Sequence, residues 1–190
     1  MSKIVSVVYH SGYGHTAKVA EAVAAGAKID GVSVNLLKAD ALSDADWLAL
    51  DASHAIIMGA PTYMGGVSAQ FKTFADASSK RWFTQAWKDK IAAGFTNSGS
   101  YSGDKLSSLQ YLQVLAMQHG MIWVGQAEAA PSLADTQIPT HEDINRVGSW
   151  VGLMTQANSK APADIAPPAG DLETARRFGK RIAEVTKRFS

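Results

Sequence analysis

The amino-acid sequence predicts an α/β fold, a doubly wound parallel sheet of five strands in the order 2-1-3-4-5 with helices on both faces. Strand-like and helix-like segments alternate along the whole chain, and right-handed crossovers between them force the strands to run parallel. The third strand-like run, residues 54–59, is apolar throughout, which is typical of a central strand covered on both faces. In such a sheet the ligand crevice lies beyond the C-terminal ends of strands one and three.

The first half of the chain supplies three of these strands. A run rich in β-branched residues predicts a strand at residues 3–9, and apolar residues three and four apart predict a helix at 16–29. Asp30-Gly31 ends that helix, since glycine suits a left-handed turn. The other elements predicted here are a strand at 32–37, a helix at 40–50 capped by Ser43 or Asp44, the strand at 54–59, a helix from Ser68, and an aromatic connection at 80–88.

The second half continues with a strand at 91–96, a helix at 106–118 and a fifth strand at 121–126. Residues 129–170 then break the alternation, because prolines and glycines recur along them. A connection of that length is usually functional or an interface element. We therefore expect a single domain over residues 1–190 with this long loop insertion, closed by a helix at 171–189 that Asp171 caps.

Composition narrows the class of protein. Hydrophobic residues make up 46% and charged residues 18% of the 190, as in an ordinary globular domain. No run reaches the roughly 18 apolar residues of a membrane span and no signal pattern is present, so we expect a cytoplasmic protein with no membrane partner. The chain has no cysteine, which excludes disulfides and thiolate chemistry. The net charge of +1 comes from dispersed cations, so no nucleic-acid footprint is present.

The segment from residue 3 to residue 20 runs from a strand through a short loop into a helix. Unpaired N–H groups at the helix N-terminus, together with its dipole, favour an anion. Ser11 and Thr16 add hydroxyl donors, while Gly12 and Gly14 allow close approach of a ligand to the backbone. One interpretation is therefore a phosphate site. The other is an ordinary turn whose hydroxyls only cap the helix.

Three loops leave the C-terminal ends of strands one, three and four, at residues 10–16, 60–66 and 97–103, and the predicted topology brings them together. They are rich in Gly, Ser, Thr, Asn and Tyr, which suits an uncharged planar ligand with a phosphate tail. No carboxylate is available for hydrolysis, and the pair Ser11 and His15 lacks a third group to orient the imidazole. The five histidines show no metal-ligand spacing, so we expect no metal.

Four stretches of this chain resemble the flavodoxin-like family, specifically the WrbA-like NAD(P)H:quinone oxidoreductases and the related NADPH-dependent FMN reductases. They are residues 9–16 (YHSGYGHT), 59–65 (GAPTYMG), 96–99 (TNSG) and 118–121 (QHGM). Their order and spacing agree with the family from the first strand to the last helix. The resemblance implies a flavodoxin-like fold that binds FMN.

The resemblance also implies roles for particular residues. FMN phosphate would be held by Ser11, Gly12, Tyr13, Gly14, His15 and Thr16, and the isoalloxazine ring would be lined by Pro61, Thr62, Tyr63 and Met64. A second flavin loop would comprise Asn97, Ser98, Gly99, Ser100, Tyr101 and Ser102, with N–H groups directed at the ring edge. His119 would reach the flavin as the catalytic residue, Tyr13 would contact the nicotinamide cofactor, and Trp82 would lie on the substrate side.

Two departures from the family pattern and several alternatives stay open. Tyr63 stands where the family usually has Arg, so a cationic contact near the ring is lost, and a family insertion before the third strand is missing. His119 can equally be a plain helix C-cap, since a glycine follows it. Trp82 can simply cover the sheet edge, and Met64 can belong to the core. His10 and His141 are expected at the surface.

Taken together, these features favour an enzyme that passes two electrons from NADH or NADPH through FMN to a small quinone. The alternatives are a flavodoxin-type electron carrier and a non-redox module that binds another phosphate ligand. Carriers use a strongly acidic surface to steer partners, whereas this chain has a pI near 8.0. The resemblance further implies a homo-oligomer, either a dimer or a tetramer. The sequence does not choose between the two nicotinamides.

Overall fold

A parallel sheet with the order β2-β1-β3-β5-β6 forms the centre of the molecule, and this confirms the predicted arrangement 2-1-3-4-5. The computed structural model describes residues 2–131 and 138–189. Its strands are β1 Lys3–Tyr9, β2 Val32–Lys38, β3 Ala55–Tyr63, β4 Gly66–Val67, β5 Ile91–Ser98, β6 Ile122–Trp123 and β7 Leu153–Gln156. Its helices are α1 His15–Ala27, α2 Asp44–Ala52, α3 Ala69–Ala77, α4 Ser79–Thr84, α5 Lys105–Gln118 and α6 Ala169–Arg188.

Helices cover both faces of the sheet, because successive side chains of each buried strand point to opposite sides. Val7 and Ile57 pack against α1 and α6, whereas Val8 and Ile56 pack against the cluster formed by α2, α3 and α5. This explains why the third strand is apolar at every position. Among the described residues, no helix combines the length and the apolar composition needed to cross a membrane.

The fifth strand differs from the prediction. Two short segments share its position beside β5: β6 pairs with Ile91 and Ala92, and β7 pairs with Phe95 to Ser98. The strand predicted at 121–126 ends early because the Gln126 N–H pairs with Trp150 O instead of with β5. Strand β7 therefore lies inside the segment 129–170 that was predicted to be irregular, and residues 132–137 of that segment lie outside the described residues.

Smaller corrections follow from local contacts. The connection predicted at 80–88 contains the six-residue helix α4, too short to show a periodic stripe. Ser43 caps α2 as predicted, and its N–H donates to Asp46 in return. Asp171 does not cap the last helix, which begins earlier with Pro168 at the N-cap position; the Asp171 carboxylate is instead buried. His10 is buried too, with its Nδ1 2.8 Å from the Ser68 hydroxyl.

Candidate functional site

The loop between β1 and α1 has features of both predicted roles, a helix cap and an anion site. Ser11 Oγ accepts hydrogen bonds of 3.1 Å from the N–H groups of Gly14 and Ala17, so this hydroxyl does cap the helix. Within residues 2–131 and 138–189, however, no hydrogen bond uses the N–H of His15 or of Thr16. Two donors therefore remain at the positive end of the α1 dipole, which is the arrangement that binds anions.

The turn after β3 is attached to this first loop by Tyr63. Its hydroxyl lies against Gly12, and its ring meets the Tyr13 ring edge-to-face with centroids 6.1 Å apart. A Cβ atom on Gly12 would lie 2.6 Å from the Tyr63 hydroxyl, so a larger residue there would displace the Tyr63 side chain. Burial, followed by the neighbouring Tyr13, raises the pKa of Tyr63. The residue that departs from the family pattern therefore connects two of the three loops.

All three predicted loops line one cavity of about 200 Å³. The first loop contributes Tyr13, His15 and Thr16, the second contributes Pro61, Thr62 and Tyr63, and the third contributes Asn97, Ser98 and Gly99. The structure adds Ala157 and Ser159, which the sequence did not single out. The cavity lies where the strand order reverses, at the C-terminal ends of β1, β3 and β5, as the topology predicted.

Buried hydroxyl and amide groups hold the floor of this cavity. The Thr62 hydroxyl lies 2.8 Å from the hydroxyls of both Thr96 and Ser108. Thr155, on β7, donates a 2.9 Å hydrogen bond to Asn97 Oδ1. With that oxygen occupied, the donor end of the Asn97 amide is the end that remains for a ligand. The floor is thus neutral, polar and held by neighbouring strands.

A segment following β7 covers the first loop. The His15 Nε2–H donates to Ala161 O at 2.7 Å, and a Cβ on Gly14 would lie 3.0 Å from Ala163 Cβ. Gly14 also has a positive φ of 89°, the left-handed conformation that favours glycine. The His15 imidazole therefore holds this covering segment, and only the backbone N–H of His15 is left for a ligand.

The structure does not bring His119 or Trp82 to the loop cavity within one chain. Both line a different cavity of about 370 Å³, between the α3–α4 segment and α5. Ser78 donates its only hydroxyl proton to Ala75 O, so His119 must donate its Nε2–H to Ser78 Oγ, 2.9 Å away. The His119 side chain stacks on Trp87, and burial lowers its pKa. Among the described residues its Nδ1 atom has no hydrogen-bond partner.

The other predicted residues lie around the loop cavity rather than in its lining. Met64 is fully exposed, in a left-handed conformation with φ of 48°, so it is not a core residue. Tyr101 and Ser102 line a neighbouring cavity of about 610 Å³, bordered on its other side by Val147 and Met154. Ser100 accepts a hydrogen bond at its carbonyl from Lys105 Nζ. Tyr63, Tyr101 and Trp82 therefore line three different cavities.

Sequence reasoning missed a buried charged cluster behind the third loop. Lys105 is fully buried and donates to Ser98 Oγ at 2.9 Å, and burial lowers its pKa to about 8. Arg146 donates from Nε and Nη2 to the two oxygens of Asp171, at 2.7 and 3.1 Å. One signal was present: Lys105 is in the first turn of α5, where the helix dipole disfavours a cation. Nothing in the sequence paired Arg146 with Asp171.

The residues of the loop cavity fit FMN. Two free N–H groups and the Thr16 hydroxyl can receive a phosphate, and none of the described residues that line the cavity is a carboxylate that would repel it. The volume is below the roughly 300–1,000 Å³ of pockets that enclose a whole ligand. We therefore expect the cavity to hold part of FMN, with the remainder lying at the exposed rim formed by Tyr13 and Met64.

The fold and these three loops define a flavodoxin-like α/β protein whose candidate site opens at the turn between β1 and α1. The model of the NADPH-dependent FMN reductase family matches residues 9–135. The chain belongs to this family, whose members are flavodoxin-like, FMN-binding oxidoreductases.

Individual relatives extend the similarity over the whole chain. A flavodoxin, FldP, of Pseudomonas aeruginosa is 47% identical over 97% of this chain and 97% of its own. An NAD(P)H dehydrogenase (quinone) of Rhizobium meliloti is 32% identical over 94% of this chain and 90% of its own. Among solved structures, a WrbA-like flavodoxin from Agrobacterium tumefaciens is 46% identical, covers 100% of both chains and superimposes with a TM-score of 0.76.

Proposed function

We propose that this protein is an FMN-dependent NAD(P)H:quinone oxidoreductase. The observation that carries the proposal is the meeting of three neutral, polar loops at one cavity, beside two free N–H groups at the start of α1. When bound there, FMN would supply redox chemistry, namely hydride acceptance and the transfer of two electrons to an acceptor. The names of two relatives, one a quinone dehydrogenase and one a flavodoxin, agree with this cofactor.

In this proposal the chain binds and orients, and it excludes water. The N–H groups of His15 and Thr16 bind the phosphate, and the Asn97 amide donates to the flavin from the cavity floor. The segment held by His15 through Ala161 O covers the phosphate and keeps water away from it. Tyr13, 71% exposed at the rim, offers an aromatic surface to a nicotinamide or a quinone.

His119 and Trp82 enter the proposal through a second copy of the chain. They line another cavity in the single chain, so they contribute to a flavin site only if a neighbouring subunit presents them. This agrees with the homo-oligomer that the family resemblance implies. Light scattering coupled to size-exclusion chromatography checks it. A monomer at micromolar concentration that retains full quinone reductase activity would remove both residues from the site.

A flavodoxin-type electron carrier is the second candidate, because the relative that is 47% identical is named a flavodoxin. The net charge of +1 speaks against it, since carriers use a strongly acidic surface to steer protein partners. Consumption of NADH or NADPH in the presence of a benzoquinone distinguishes the two. Steady turnover supports the enzyme, whereas FMN binding without turnover of either nicotinamide supports the carrier.

The cofactor site is tested by titrating apoprotein with FMN and following quenching of flavin fluorescence. Ser11→Glu places a carboxylate against the N–H groups of Gly14 and Ala17, so it should weaken FMN binding at least tenfold by repelling the phosphate. Ser33→Glu introduces the same change on the edge strand β2, and its affinity for FMN should equal that of the wild type. Unchanged affinity in Ser11→Glu, or no binding by the wild type, contradicts the assignment.

A further inference from the structure

The third loop of the site is held on its protein-interior side by four side chains that lie outside the three loop motifs. They are Lys105, Arg146, Gln156 and Asp171, and we refer to them as the anchoring cluster. We propose that the anchoring cluster turns the N–H groups of residues 99–101 outward, away from the cluster, and supplies a buried positive charge. Lys105 is then a positioning residue that favours the reduced, anionic form of the bound flavin. The inference rests on the proposed function, because it requires FMN in the loop cavity.

Three consecutive carbonyl groups of this loop are bound from the protein side. Ser98 O accepts from the Ala157 N–H at 3.0 Å, and Gly99 O accepts from Gln156 Nε2 at 2.8 Å. Ser100 O accepts from Lys105 Nζ. In a planar trans peptide the N–H points opposite to the C=O. The N–H groups of residues 99, 100 and 101 are therefore turned away from the anchoring cluster.

That direction matters because the same loop lines the cavity. Asn97, Ser98 and Gly99 are lining residues, so donors that turn away from the interior at this loop are available to a ligand. Adjacent backbone N–H groups that converge in this way form a concave site for negative charge. Such a site favours a ligand group that carries, or acquires, negative charge.

The anchoring cluster also carries an excess positive charge. Arg146 and Asp171, with side chains 1% and 2% exposed, neutralise each other through two hydrogen bonds. Asp171 accepts a third hydrogen bond from the Gln156 N–H at 2.7 Å. Among the described residues Lys105 donates only to neutral acceptors, Ser98 Oγ and Ser100 O, and its side chain is fully buried. The positive charge of Lys105 therefore remains uncompensated on the interior side of the loop, where low solvent exposure weakens the screening of that charge.

Reduction is the step at which this charge acts. A hydride brings two electrons and one proton, so the isoalloxazine ring gains one negative charge when NAD(P)H reduces FMN. A cation fixed before the reaction stabilises that charge without further reorganisation. Lys105 is then expected to raise the reduction potential of bound FMN while changing the affinity for oxidised FMN little.

The experiment compares Lys105→Gln, which keeps hydrogen-bond donors but removes the charge, with Lys105→Arg, which keeps the charge. Lys90→Gln is the matched control, because Lys90 is also a lysine that donates to two carbonyl groups, those of Asp51 and Ser53, but at the opposite end of β5. Thermal melting of each apoprotein checks folding. The affinity for oxidised FMN and the two-electron reduction potential are then measured by fluorescence titration and by equilibration with a reference dye.

Lys105→Gln should lower the ratio of affinities for reduced and oxidised FMN about tenfold, a fall of about 30 mV for a two-electron couple. Lys105→Arg and Lys90→Gln should keep the wild-type potential. The inference is overturned if Lys105→Gln keeps that potential, if Lys105→Arg loses as much as Lys105→Gln, or if both oxidation states weaken equally. Failure of the wild type to bind FMN is a separate result, and it refutes the proposed function instead.

Discussion

Replacing Asp171 by Asn should strongly destabilise the folded chain, although the two side chains are almost the same size. The Asp171 carboxylate accepts two hydrogen bonds from Arg146 and one from the Gln156 N–H, and it is 2% exposed. Burial raises its pKa, and the hydrogen bonds from Gln156 and Arg146 oppose that shift. Asparagine keeps an acceptor but removes the charge, which leaves the Arg146 guanidinium buried without a counter-ion.

Removing one partner of a buried ion pair costs about 3–5 kcal/mol. In a chain of 190 residues each kcal/mol lowers the melting temperature by roughly 2–4 °C, so the expected fall is roughly 6–20 °C. Urea unfolding and thermal unfolding of the apoprotein measure it, followed by circular dichroism. The apoprotein is the right form, because bound FMN would add its own stabilisation.

The double variant Arg146→Met/Asp171→Leu provides the control for this reasoning. It removes both charges and keeps the volume apolar, so it should lose less stability than Asp171→Asn alone. A remaining loss of about 1–3 kcal/mol is expected, because the Gln156 N–H then has no acceptor. If Asp171→Asn costs below about 1 kcal/mol, or if the double variant is the less stable of the two, the pair is not a buried ion pair and the reasoning fails.

Three further changes test other parts of the structure. Gly179→Ala should lower the free energy of unfolding by about 1–3 kcal/mol despite the higher helix propensity of alanine, because the new Cβ would lie 2.0 Å from Val23 O. A variant that is more stable than the wild type in urea would contradict the close packing of α1 on α6. Thr62→Val removes the hydroxyl that contacts Thr96, so the free energy of unfolding should fall by about 1–3 kcal/mol, and FMN affinity should fall as well. An unaltered melting temperature would show that this hydroxyl is dispensable. Burial lowers the pKa of the folded chain's His119 below 6.5, so the unfolded chain takes up this proton at a higher pH than the folded chain does. The free energy of unfolding should therefore be full above about pH 6.5 and decline as the pH falls below it. His119→Gln should flatten that acid limb, and an identical limb in the variant would refute the assignment.

Much of the site could be predicted, because it is built from local motifs. A strand, a glycine-containing turn and a helix N-terminus follow one another in the sequence, so the candidate anion site could be recognised without tertiary information. The topology then placed the turn after β3 and the loop after β5 beside it, and these loops do line one cavity. Tyr63 was expected at the flavin ring and noted as a lost cation, but its contact with Gly12 was missed, since it joins residues far apart in the chain.

The residues that sequence reasoning could not locate depend on packing at a distance. His119 and Trp82 were assigned through a family resemblance, and within one chain they lie beside α5, away from the loop cavity. Asp171 looked like a helix cap because helix caps are local, but its partner is Arg146, 25 residues earlier. Lys105 offered one local sign, a cation in the first turn of a helix.

The sequence by itself determined the alternation of strands and helices, the order of the sheet and the glycine-containing turn at the start of α1. Hydrophobic periodicity and the handedness of crossovers act over short stretches, so they can be recognised from the order of residues alone. Only the tertiary structure decided that β6 and β7 share the fifth strand position, that residues 157–163 cover the first loop, and that a buried cation stands behind the third. These features arise where distant segments compete for the same hydrogen-bonding groups, and the outcome of that competition is not encoded in any local pattern.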